Sequence, residues 1–115
     1  MEERLGAASG GYQGEGMNNE SIFQNAINRW GETLQLDVLV EECAELIRAV
    51  QKYKRKVATG WLILEARGNV AEEAADVLIM IEQLKIMKLG AKDSMEAEIE
   101  KWHANKIERL EGRLE

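Results

Sequence analysis

The chain has 115 residues, enough for one domain with one modest core. It contains no proline, and 45% of its residues are hydrophobic, 31% charged and 5% aromatic, a mixture that favours long amphipathic helices and argues against a β-sandwich. The formal net charge is −6, and an acidic surface repels phosphate backbones, so nucleic acid is not an expected partner.

Residues 1–19 are glycine-rich and lack periodicity; they read as a disordered arm or a leader segment, with Met17 a candidate natural start. A first helix is expected over 20–30, with Ile22, Phe23, Ala26, Ile27 and Trp30 on one face and Gly31 ending it. A long second helix follows over about 33–56, with Leu39, Cys43, Leu46 and Val50 as its apolar ridge. It ends in Lys52, Lys54, Arg55 and Lys56, which complement the negative end of the helix dipole. Residues 57–68 carry Thr59-Gly60 and Arg67-Gly68 around Trp61-Leu62-Ile63-Leu64 and read as a loop or a short helical turn. Asn69, with Glu72 three residues on, resembles a capping box and predicts the start of a third helix that runs to about Leu89, where Gly90 stops it. Asp93 or Ser94 would then cap a fourth helix reaching about 112. The domain is therefore expected over 20–115, all-α and built like a four-helix bundle.

No run of 18 apolar residues is present, so no membrane partner is expected. Cys43 is the only cysteine, which rules out an internal disulfide and suits a reducing, cytoplasmic setting, as does the lack of an apolar signal core.

Two segments carry the chemistry: Glu41-Glu42-Cys43-Ala44-Glu45 and Glu72-Glu73-Ala74-Ala75-Asp76. Each has acids three residues apart, Glu42 with Glu45 and Glu73 with Asp76, and on a helix such a pair shares one face. With the third-helix stripe centred on Val77, Glu73 falls about 40° from the centre, inside the apolar face, and Asp76 lies beside Met87. With the second-helix stripe centred on Leu39, Glu42 falls about 60° away and Glu45 about 120° away. Glu41 and Glu72 point away from both ridges. Any one of these acids alone reads equally well as solvated helix surface. A carboxylate inside an apolar stripe costs several kcal/mol unless it is paired or bound to metal, and four converging acids repel one another. A hard divalent cation resolves both problems, and an all-oxygen donor set selects Mg²⁺, with Mn²⁺ as a substitute.

The pattern Glu-Glu-x-x-Glu, a 27-residue spacer, then Glu-x-x-Asp resembles the MazG-like all-α nucleoside triphosphate pyrophosphohydrolases, the superfamily of dimeric dUTPases and dCTP pyrophosphatases. The resemblance runs over roughly 20–113 and includes Trp30-Gly31-Glu32. It implies an oligomeric helical bundle, a dimer or tetramer of the chain. It also implies that Glu42, Glu45, Glu73 and Asp76 ligate Mg²⁺, with Glu41 and Glu72 in supporting positions. The implied activity is hydrolysis of nucleoside triphosphates, dNTPs foremost, to monophosphate and pyrophosphate, in a house-cleaning role. Glu42 or Glu45 is the expected catalytic base. The resemblance further implies basic residues and an asparagine on the last helix near the phosphates; Lys101, Asn105, Lys106 and Arg109 suit this, and Lys101, Asn105 and Arg109 share a face. Phe23, Trp30, Tyr53 and Trp61 are candidates for a base pocket, and Asn25 and Asn28 for reading a base edge.

Two rival readings remain from the residues alone. A di-iron carboxylate bundle needs Glu-x-x-His on two helices, and only Glu100-Lys101-Trp102-His103 fits, His103 being the single histidine. A non-enzymatic helical oligomerisation module would have an apolar seam without Glu73 in it.

Overall fold

The structure, a computed structural model, describes residues 18–60 and 63–115. The expected leader over 1–17 and the base-pocket candidate Trp61 lie outside the described residues. The described chain forms helices α1 (Asn19–Trp30), α2 (Glu32–Thr59), α3 (Leu64–Ile86) and α4 (Glu96–Leu114), and no strand is present among the described residues. This is the all-α, four-helix architecture that the periodicity predicts.

Local chemistry fixes the helix ends. Asn18 caps α1, its side chain accepting the Ser21 N–H at 2.8 Å. Gly31, at φ 89°, takes the turn that an L side chain resists and lets α2 start at once. At the far end of α2, Gly60 sits in the left-handed region and its N–H returns to Val57 O at 3.2 Å.

Four helix boundaries differ from expectation. The segment 57–68 is mostly helical, because α2 continues to Thr59 and α3 already begins at Leu64. Asn69 is therefore inside α3 and caps nothing; Ile63 stands at the N-cap without a side-chain hydrogen bond. The third helix also stops early, at Ile86. Met87 turns extended there, and the Glu32 carboxylate at the start of α2 accepts the N–H groups of Lys88 (2.9 Å) and Leu89 (3.2 Å). This clamp ties the start of α2 to the end of α3, so the helix ends where its partner can satisfy the next donors. Asp93 and Ser94 do not cap α4, whose N-cap is Met95; the Met95 N–H bonds Met87 O at 2.9 Å across the connecting loop.

Helices α2 and α3 form a long antiparallel hairpin, α1 packs on both, and α4 touches α3 alone. The seam of the hairpin does not follow the predicted ridges. The residues buried in it are Gln35, Val38, Glu42 and Ala49 from α2, with Ala66, Asp76, Met80 and Gln83 from α3. Leu39, Cys43 and Leu46 are only half-buried, Val50 is exposed, and Val77 is half-buried. Relative to the stripes centred on Leu39 and Val77, each buried face is turned by about 70–80° on the helical wheel. Buried positions repeat at seven residues, Gln35–Glu42–Ala49 on α2 and Ala66–Glu73–Met80 on α3, with Met87 just past its end (Glu73 half-buried), the interval of a coiled-coil seam.

Candidate metal centre

The antiparallel register assembles the site. Gln35 faces Gln83, their side chains bonded at 2.7 Å, and two turns along α2 Glu42 meets Asp76 while Glu45 meets Glu73. One carboxylate oxygen from each of Glu42, Glu45, Glu73 and Asp76 lies within 4.8 Å of the others. The two acidic pairs singled out in the sequence are thus brought to one point.

The rotated seam changes which acids are most enclosed. Glu42, expected at the stripe's edge, is 1% exposed, and Asp76 is 4% exposed. Glu73, expected deepest in the apolar face, is half-buried like Glu45. Even so, Glu73 carries the electrostatic strain of the cluster. Burial raises its pKa above the ordinary value of 4.5, and Glu45 adds to the rise through its charge and a hydrogen bond, followed by the charges of Asp76 and Glu72. Oε1 of Glu73 is buried without a hydrogen-bond partner among the described residues.

The donor set tests well against a divalent cation. It is all oxygen, it comes from two helices, and its oxygens lie within 4.8 Å of one another, close enough to gather around a cation. A cation also removes the mutual repulsion that lifts the Glu73 pKa. Glu41 and Glu72 are exposed on the outer faces; of the two, Glu72 acts on the cluster through its charge on Glu73.

The remaining candidate residues lie elsewhere in the chain. Lys101, Asn105, Lys106 and Arg109 are exposed on α4, where Lys106 and Arg109 line a separate groove with Arg113. Phe23 borders another groove with Glu20, Glu82, Lys85, Ile86 and Glu96. Trp30 is 44% exposed, with the Arg29 guanidinium 5.6 Å from its ring centroid. Tyr53 is half-buried and lies roughly 30 Å along α2 from Trp30, at 1.5 Å per residue. Within one chain, Trp30 and Tyr53 do not enclose the same base. Asn25 and Asn28 are exposed on α1, and Asn28 Oδ1 accepts from Gln24.

Two features escaped the sequence reading. The buried Gln35–Gln83 pair extends the polar seam beyond the carboxylates, and its signal was the seven-residue interval from Gln35 to Glu42 and from Asp76 to Gln83. The second is a groove of about 710 Å³ that opens beside Glu45 and Glu73 and is bordered by Arg48, Lys52, Arg55 and Asn69.

No curated protein and no solved structure matches the chain. The family model of the MazG nucleotide pyrophosphohydrolase domain matches residues 31–113, a span that contains α2, α3, their four clustered carboxylates and nearly all of α4. On that match, the chain belongs to the MazG nucleotide pyrophosphohydrolase domain family.

Proposed function

We propose that the protein hydrolyses nucleoside triphosphates, dNTPs among them, to a nucleoside monophosphate and pyrophosphate, using Mg²⁺ held by Glu42, Glu45, Glu73 and Asp76. The observation that carries this reading is the convergence of those four carboxylates from two helices, within 4.8 Å, inside a domain of the nucleotide pyrophosphohydrolase family. Mn²⁺ would substitute, since both are hard, oxygen-seeking cations.

When bound, the cation supplies positive charge for the phosphoryl oxygens and a lowered pKa for water. The chain's own residues do the rest. Glu42 and Asp76, sealed in the seam, are rigid donors whose helices cannot splay without breaking the hairpin. Glu45 borders the open groove, which favours it over Glu42 as the base that takes the proton of the attacking water. Water adds to the α-phosphorus, the bond to the bridging oxygen of the β-phosphate breaks, and pyrophosphate departs. Glu72 biases the cluster from outside by its charge on Glu73, and Glu41, exposed on the outer face of α2, takes a supporting position at most.

Self-association belongs to the same reading. It would offer Lys101, Asn105, Lys106 and Arg109 of α4 a route to phosphates bound by a second copy, and it would bring aromatic residues from two chains around a base. A cytoplasmic, house-cleaning role fits the single cysteine and a substrate drawn from the nucleotide pool. The test is release of pyrophosphate from a panel of NTPs and dNTPs with Mg²⁺, Mn²⁺ or chelator. Metal-dependent pyrophosphate from at least one substrate is expected; production of orthophosphate alone, or turnover unchanged by chelator, defeats the assignment.

A further inference from the structure

Four clustered carboxylates in a chain of net charge −6 create a charge problem for any polyphosphate. Even two divalent cations would only cancel the four acids, leaving the substrate's own charge unmatched. The groove beside the cluster answers it. Arg48, Lys52 and Arg55 border it on α2, spaced four and three residues apart and beginning three residues after Glu45. At about 100° per residue they fall within about 80° of Glu45 on the helix surface. Side chains on a helix lean toward its N-terminus, so all three cations lean back toward the carboxylates. None of them forms a salt bridge among the described residues. Asn69, one turn before Glu73 on α3, supplies a neutral hydrogen-bonding group on the opposite wall.

We propose that this groove is the pyrophosphate subsite: Arg48, Lys52, Arg55 and Asn69 receive the β- and γ-phosphates of the substrate and hold the pyrophosphate product. The proposal rests on the pyrophosphohydrolase reading and gives the substrate a direction, with its phosphate tail running along α2 toward Thr59 and its nucleoside pointing the other way. The basic residues at the end of α2 then do more than complement a helix dipole.

The experiment is calorimetric titration of inorganic pyrophosphate into the Mn²⁺-loaded protein. The variants are Arg48→Gln/Lys52→Gln/Arg55→Gln, Asn69→Ala and, as a charge control, Lys54→Gln, which lies about 180° around α2 from Glu45. All these positions except Asn69 are exposed, and circular dichroism checks each fold. The triple variant is expected to bind pyrophosphate at least roughly tenfold more weakly, one lost charge-assisted bond being enough for that. Its Mn²⁺ affinity, read by electron paramagnetic resonance, should stay at the wild-type value, and Lys54→Gln should bind pyrophosphate within about twofold of wild type, as expected for a solvated charge. Equal pyrophosphate affinity in wild type and triple variant overturns the subsite, as does a loss equally large in Lys54→Gln or the absence of pyrophosphate binding by the wild type. If the wild type binds pyrophosphate with the expected pattern but releases none from any triphosphate, the subsite stands and the assigned reaction falls.

Discussion

Glu73 is where burial and charge conflict most openly. Its raised pKa means that the metal-free fold holds this proton more tightly than the unfolded chain does, so its contribution to stability is complete below the ordinary value of 4.5 and is lost as pH rises through the folded value. Chelated protein should therefore melt at a lower temperature as pH is raised above 4.5, and saturating Mg²⁺ should flatten that dependence; parallel curves with and without metal would contradict it. Glu73→Gln removes the charge but keeps the shape. It should raise the melting temperature of the metal-free protein while lowering turnover by on the order of a hundredfold or more, as expected when charge stabilisation at the reacting group is lost. Wild-type rates in this variant would defeat the site assignment. The Gln35–Gln83 pair poses a different problem. Gln35 is fully buried, its Nε2 donates to Gln83, and its Oε1 has no partner among the described residues. Gln35→Leu strands the Gln83 acceptor and should cost about 1–3 kcal/mol. Gln35→Leu/Gln83→Met should cost less than the sum of the single changes, a coupling that a double-mutant cycle in urea would measure.

Among the elements, the α2–α3 hairpin carries both the fold and the site, because one antiparallel register sets Gln35 against Gln83 and Glu45 against Glu73. The register is held at one end by the turn at Gly60 and at the other by Glu32, which clamps the backbone after α3. Glu32→Ala removes two hydrogen bonds to a charged acceptor and should destabilise by about 1–3 kcal/mol. Because Glu32 lies far from the carboxylates along α2, roughly 15 Å to Glu42 at 1.5 Å per residue, the variant should bind Mn²⁺ with near-native affinity once folded. A large loss of metal affinity in fully folded Glu32→Ala would mean that the clamp tunes the site as well as the hairpin.

For the whole molecule, the radius of gyration of 17.1 Å exceeds the about 13 Å of a compact chain of this length. The excess has a visible source. Helix α4 buries no residue, and Trp102, Ile107, Leu110 and Leu114 are exposed along it, as are Val40, Ile47 and Leu78 on the hairpin. Apolar surface of this extent is typical of an association face. Light scattering at micromolar concentration should report a dimer or tetramer, and Trp102→Asp/Leu110→Asp should shift it toward monomer; a wild-type monomer would remove self-association from the functional reading. No helix among the described residues is long and apolar enough to cross a membrane.

The residues of this chain determined by themselves that it is helical, that its helices are long, and that two acidic pairs stand at intervals that put each pair on one helix face. Those features are local: proline content, periodicity and three-residue spacing do not depend on what packs where. Tertiary structure alone decided which face of α2 and α3 turns inward. Apolar periodicity pointed to Leu39 and Val77, but the seam closed on Gln35, Glu42, Asp76 and Gln83, because helix packing follows the combined fit of both helices and of α1 while polar residues needed at the centre occupy its inside. The start of α3 was equally out of reach, since Asn69 has the chemistry of a cap, yet the helix begins at Leu64 and Ala66 is already buried in the hairpin. The groove along Arg48, Lys52 and Arg55 exists only once α3 lies beside them, which is why the basic end of α2 read only as a complement to the helix dipole until its neighbours were in place.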